Sequence, residues 1–170
     1  MQRRRISCFI SIKGVMTWGN DEWWTLKFDS YDVRVDLMGE KDAIEDLFRT
    51  KKVDYRMIDN DQIAIRSRLF ALDIDFYLSF VFAREKITRI IISPCVSLEG
   101  KALCSRYNKI QKALISRYGF PSNRIWAIIN LLDRDNSYSR WKNKGVEIEH
   151  YLVDRFGAEE TIKIQLSGIV

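Results

Sequence analysis

Few side chains in this sequence are equipped for catalysis. His150 is the only histidine among 170 residues, and so the only side chain whose unperturbed pKa lies near neutrality. It falls in step with Val146, Ile148 and Leu152, positions that a strand turns toward one face. That placement reads as a buried, hydrogen-bonded imidazole rather than a solvent-facing general base. No G-x-S-x-G context supports a Ser-His-Asp arrangement around it. Asp73 and Asp75 share one face of an alternating stretch, with carboxylates about 7 Å apart in strand geometry. Such a pair could hold a divalent cation or divide acid and base roles. Pairing Arg68 with Asp73 and Arg66 with Asp75 across a hairpin accounts for all four charges without either role.

Cys8, Cys95 and Cys104 are odd in number and lack the C-x-x-C or Cys/His spacing that surrounds zinc. They read as free thiols of a reducing compartment, and a Cys95–Cys104 bridge requires export. No Walker A, G-x-G-x-x-G, H-E-x-x-H or EF-hand pattern occurs. The expectation is therefore no catalytic residue, no metal site and no cofactor.

Binding residues are easier to nominate. Trp18, Trp23 and Trp24 fall within seven residues, and adjacent Trp23 and Trp24 on a strand would face opposite ways, one in the core and the other either covered by the N-terminal segment or exposed as an anchor for a protein or a sugar. The net charge of +5 is uneven: residues 1–83 carry −1, residues 84–144 carry +9 and residues 145–170 carry −3. Within the basic block Lys101, Lys109 and Lys112 share the outward side of a helical pattern, and Arg106 and Arg117 flank its apolar stripe. Arg124, Arg134, Arg140, Lys142 and Lys144 follow. Phosphates require such a surface, and Tyr138 or Trp141 could stack on bases. No RRM, KH, helix-turn-helix or zinc-finger signature accompanies it. The candidate binding surface is thus Trp23, Trp24, Lys101, Lys109, Lys112 and Trp141.

The elements that position these residues follow from periodicity. Leu72 to Phe82 places Leu72, Ile74, Phe76, Leu78, Phe80 and Phe82 at every second position, the pattern of a strand with one buried face. Gln62 to Leu69 alternates likewise, and isoleucine-rich Lys86 to Ser93 completes an antiparallel meander. Trp23–Phe28 and Tyr31–Leu37 flank Asp29-Ser30 as a hairpin. A short helix opens at Gly39-Glu40 and ends in Arg49-Thr50-Lys51-Lys52. From Leu98 to Tyr118, a stripe of Leu103, Tyr107, Ile110, Leu114 and Tyr118 predicts the longest helix, stopped by Gly119 and Pro121. Ser122 to Asp133 reads as a further helix, and Gly145–Val153 with Thr161–Leu166 as a closing hairpin.

Strands in blocks predict an α+β fold: an antiparallel sheet of six to eight strands with two or three helices on one face. No linker or low-complexity tract divides the chain, so residues 1–170 read as one domain, with 1–20 a basic tail or edge strand. The apolar run Ile6 to Ile12 ends at Lys13-Gly14 with no small-x-small cleavage site after it, which favours a first strand over an export signal or membrane-surface anchor. The reading favours a cytoplasmic protein, with an envelope location as the alternative, and no 18 consecutive apolar residues predict a transmembrane helix.

The meander ending Phe80-Val81-Phe82-Ala83-Arg84-Glu85-Lys86-Ile87 is followed by Tyr107-x-x-Ile110-x-x-x-Leu114-x-x-Arg117-Tyr118-Gly119-Phe120-Pro121, then Trp141 and a hairpin. This order, over about half the chain, resembles small bacterial α+β envelope domains of the β-lactamase-inhibitor-protein type. The resemblance implies a non-catalytic binding or inhibitor role and transfers no functional residue. The expected function is a small interaction domain, immunity- or inhibitor-like, with a protein partner. The alternatives are a nucleic-acid accessory domain using residues 84–144, and an enzyme working through His150 and a nearby carboxylate.

Overall fold

A computed structural model describes residues 23–123, 136–154 and 158–167. Eleven elements occur among them: β1 (Thr25–Phe28), β2 (Val33–Asp36), α1 (Lys41–Thr50), β3 (Tyr55–Asp59), β4 (Gln62–Arg68), β5 (Asp75–Ala83), β6 (Lys86–Pro94), α2 (Gly100–Tyr118), β7 (Asn136–Asn143), β8 (Val146–Asp154) and β9 (Ala158–Leu166). β1 and β2 form a separate hairpin, and the other seven strands make one sheet in the order β3-β4-β5-β6-β9-β8-β7. Every pairing is antiparallel. The α+β class with an antiparallel sheet is as the alternation predicts.

Alternation in the sequence becomes two faces of the sheet. Ile63 and Ile65 of β4, Phe76, Leu78 and Phe80 of β5, Ile87, Ile90 and Ile92 of β6, Ile148 of β8 and Ile162 and Ile164 of β9 are all buried on the inner face. The β1–β2 hairpin, α1 and α2 pack on them as one continuous core, with Phe28, Phe48 and Phe80 in mutual ring contact. The α2 stripe Leu103, Tyr107, Ile110, Leu114 and Tyr118 is buried as its spacing requires. Gly119, at φ +78°, ends the helix with its N–H on Ile115 O, a left-handed position that glycine adopts without Cβ strain.

The main sheet has seven strands, within the expected range of about six to eight, with the β1–β2 hairpin separate from it; two of the described strands, β3 and β7, were not legible. β3 is an edge strand exposed at four of its five positions, so burial leaves no imprint on its sequence. β7 turns inward Ser139 and Trp141, and an inward serine breaks the apolar alternation. Leu72 and Ile74, expected in the strand, belong to the connection before β5 and are partly buried. Two helices are described; of the further helix expected over Ser122–Asp133, Ser122 and Asn123 lie in a turn and the rest falls outside the described residues. The same is true of the N-terminal segment, including Trp18 and Cys8. Among the described residues no helix is long and apolar enough to cross a membrane.

Candidate functional site

The polar side chains with the most specific geometry converge under the first half of α2. His150, on β8, has no exposed surface. Its Nδ1 lies 2.8 Å from Gln111 Oε1 and its Nε2 3.2 Å from Glu160 Oε1. Glu160 is buried too, and its second oxygen accepts from Arg106 Nε at 2.7 Å. Arg106 also donates from Nη1 to the Val96 carbonyl, and Gln111 Nε2 reaches Ser139 Oγ at 2.8 Å. Tyr107 stacks flat on the imidazole, 4.2 Å between centroids and 14° between planes.

Helix and strand periodicity build this cluster. Tyr107 and Gln111 are four residues apart on α2 and so occupy one face. Ser139, His150 and Glu160 stand on the inner faces of three neighbouring strands, with Ser139 opposite His150 and His150 opposite Ile162 in register. Burial and chemistry then set the protonation states. Loss of hydration holds the His150 imidazole below its ordinary value, against the opposing pull of Glu160. Burial pushes the Tyr107 phenol up to about 12. The imidazole is thus sealed, as its place in the strand pattern predicts, with a polar partner at each ring nitrogen and neither nitrogen facing solvent.

Arg106, expected beside the apolar stripe and counted in the basic block, adds nothing to an outward positive surface. It is buried and ion-paired with Glu160, so its charge is spent inside. Glu160 was legible in principle: it precedes Ile162, Ile164 and Leu166 at the same two-residue spacing, and a carboxylate at a core position demands a partner.

The outer face of the sheet is the second candidate. A register row crosses six strands, Arg66–Tyr77–Ser93 on β4 to β6 and Thr161–Tyr151–Tyr138 on β9 to β7. The two halves meet where the Ser93 and Thr161 hydroxyls lie 3.4 Å apart. Tyr77 is 56% exposed. The charges beside this row are paired: Arg66 with Asp75 at 2.7 Å, Lys163 with Glu149 at 3.5 Å and Arg140 with Glu147 at 2.6 Å. Tyr138 donates to Glu149 at 2.6 Å, which together with desolvation raises its pKa.

The expected ion partners of Asp73 and Asp75 are the observed ones, but by a different register. Arg68 stands opposite Asp75 and Arg66 opposite Tyr77, so both guanidinium groups reach diagonally, Arg68 to Asp73 at 3.2 Å and Arg66 to Asp75 at 2.7 Å. The register is shifted by two residues because Asp73 belongs to the connection, not the strand. Among the described residues no group of His, Cys, Asp or Glu could hold a metal ion.

Lys101, Lys109 and Lys112 are exposed on α2, as predicted. Trp141 is not a surface residue: it is 1% exposed, and its Nε1 donates to the Gly119 carbonyl at 2.8 Å. The physical reason is its inward position on β7. Trp23 and Trp24 precede β1 and are not on a strand; both are partly buried against the core, with Trp23 5.0 Å from Tyr118. Arg117 donates to Thr25 O at 2.8 Å. Cys95 and Cys104 are not bridged. Arg124 and Arg134 lie outside the described residues.

The chain matches no protein-family model, no curated protein and no solved structure.

Proposed function

We propose that this chain is a small non-enzymatic protein-interaction domain, immunity- or inhibitor-like in role, that docks its partner on the outer face of the seven-stranded sheet. The observation that carries this reading is Tyr77. It stands more than half exposed near the middle of that face, on a strand rigidly held by neighbours on both sides. Aromatic rings and arginines on a stiff support are favoured anchors of protein interfaces, because little side-chain entropy is lost when they are covered. The paired charges around it give the face both signs, which suits a protein surface better than a polyanion.

Support for a non-enzymatic role comes from the same geometry. The one histidine is sealed among polar partners, and the two aspartates at a spacing that could divide acid and base roles are held by arginines on an open surface, as expected.

Affinity capture with wild-type protein, with Tyr77→Ala and with Lys101, Lys109 and Lys112 all changed to Glu tests the proposal. A protein retained by the lysine variant and lost by Tyr77→Ala is the expected result; a partner lost only from the lysine variant argues against this face. The nucleic-acid reading keeps one observation in its favour, the exposed lysines of α2. It requires binding to generic DNA or RNA that weakens steeply with salt, and the protein-interaction reading expects none at low salt.

A further inference from the structure

The buried cluster around His150 has an unequal number of ways to place its protons. With the Gln111 nitrogen on Ser139 Oγ and its oxygen on His150 Nδ1, Nδ1 must donate. Nε2 of a neutral ring would then face Glu160 Oε1 as one acceptor against another, so with Glu160 a carboxylate beside Arg106 this orientation fits only a ring protonated on both nitrogens. Turning the amide over exchanges its oxygen and nitrogen without changing its shape. The amide then donates to Nδ1, Nε2–H donates to Glu160 Oε1, and the Ser139 hydroxyl donates to the amide oxygen. Both ring nitrogens then have a matching partner with a neutral ring, and Glu160 keeps its pairing with Arg106.

We infer that His150, Gln111 and Ser139 form a two-state hydrogen-bond relay beneath the Tyr107 ring, reversed by a single proton on His150, through which acidification loosens the first half of α2 from the β7–β9 end of the sheet. The added proton comes from solvent and resides on Nδ1. The amide must then turn, and the Ser139 hydroxyl loses the acceptor it had in the amide oxygen. Among the described residues, the ionisable groups facing the imidazole or one partner removed from it are Glu160 from β9 and Arg106 and Tyr107 from α2; β7 contributes the neutral Ser139. With Arg106 and Glu160 already balanced, a charged ring leaves a net positive charge in a sealed site. Such a charge is relieved by admitting water.

The yielding element is set by packing. Leu103 and Tyr107 belong to a small cluster with Leu152 and Leu98, whereas Ile110, Leu114 and Tyr118 are anchored in the main core. Local opening therefore costs least at the start of α2. This inference is independent of where a partner docks.

Two measurements on the unmodified protein test it. Nitrogen-15 spectra of the imidazole at pH 7.5 are expected to show a neutral ring protonated at Nε2. A neutral ring protonated at Nδ1, or a charged ring at that pH, would overturn the relay. Amide hydrogen exchange, expressed as protection factors to remove its intrinsic pH dependence, is expected to fall at least tenfold over residues 101–109 between pH 7.5 and pH 5, with 110–118 unchanged. A uniform change along α2, or none, refutes the latch. In a folded His150→Asn variant, which cannot take up the proton, the difference between the two halves should vanish; its persistence would assign the response to another group. If that variant does not fold, the two wild-type measurements decide.

Discussion

Arg106 and Glu160 show how much a single position can hide. Their side chains are 9% and 0% exposed and meet at 2.7 Å, so removing either leaves the other charged and buried. Arg106→Ala is expected to destabilise the fold by about 3–5 kcal/mol. Replacing Arg106 by an apolar side chain of similar volume and Glu160 by Gln, which keeps an oxygen for His150 Nε2, should cost less than the single change. Chemical denaturation of the three proteins checks this, and equal losses for the single and double variants would remove the ion pair as the cause. Nothing in the helical pattern marked Arg106 as internal, since it sits beside the apolar stripe and resembles its basic neighbours. His150 was legible, because its strand neighbours at two-residue spacing are all aliphatic.

Elements meet at turns whose geometry the sequence only partly declares. The connections Phe70-Ala71, Arg84-Glu85 and Lys144-Gly145 each place two consecutive residues at positive φ. Only the third uses glycine, the residue expected in such hairpins. At Gly145, φ is +92° and an added Cβ would lie 2.6 Å from the Ser167 carbonyl oxygen. Gly145→Ala is therefore expected to cost about 1–3 kcal/mol, read as a lowered denaturation midpoint. A neutral result would mean that the β7–β8 turn tolerates displacement of Ser167. The edges of the sheet are also managed differently. On β7, Ser122 N–H donates to Arg140 O at 2.7 Å, and Asn123 Oδ1 accepts from Arg140 N–H at 2.9 Å, occupying groups that would otherwise template another strand. β3 instead carries a register shift between Met57 and Asp59, and such a bulge bends an edge away from regular pairing.

For the molecule as a whole, the sealed imidazole ties global stability to pH. Burial holds the folded-state pKa of His150 below the ordinary 6.5, so between the two values the unfolded chain binds more protons than the folded one. Stability from this group is fully present above about pH 6.5 and is lost as pH falls through that window. Unfolding free energy measured from pH 8 to pH 5 should decline with acidification. The slope should flatten in a folded His150→Asn variant; an unchanged slope would place the proton uptake elsewhere.

By itself the sequence determined the α+β class, the meander, the long helix with its stop and the inward place of His150. Each rests on a short-range periodicity that burial on one face imposes. Only the tertiary structure decided that Arg106 and Trp141 are internal, that Glu160 and Gln111 complete the histidine's hydrogen bonds, and that the arginines reach their aspartates diagonally. Those outcomes depend on which strands become neighbours and in what register. β9 inserts between β6 and β8, and this long-range pairing, invisible to a local pattern, places Glu160 beside His150 under α2.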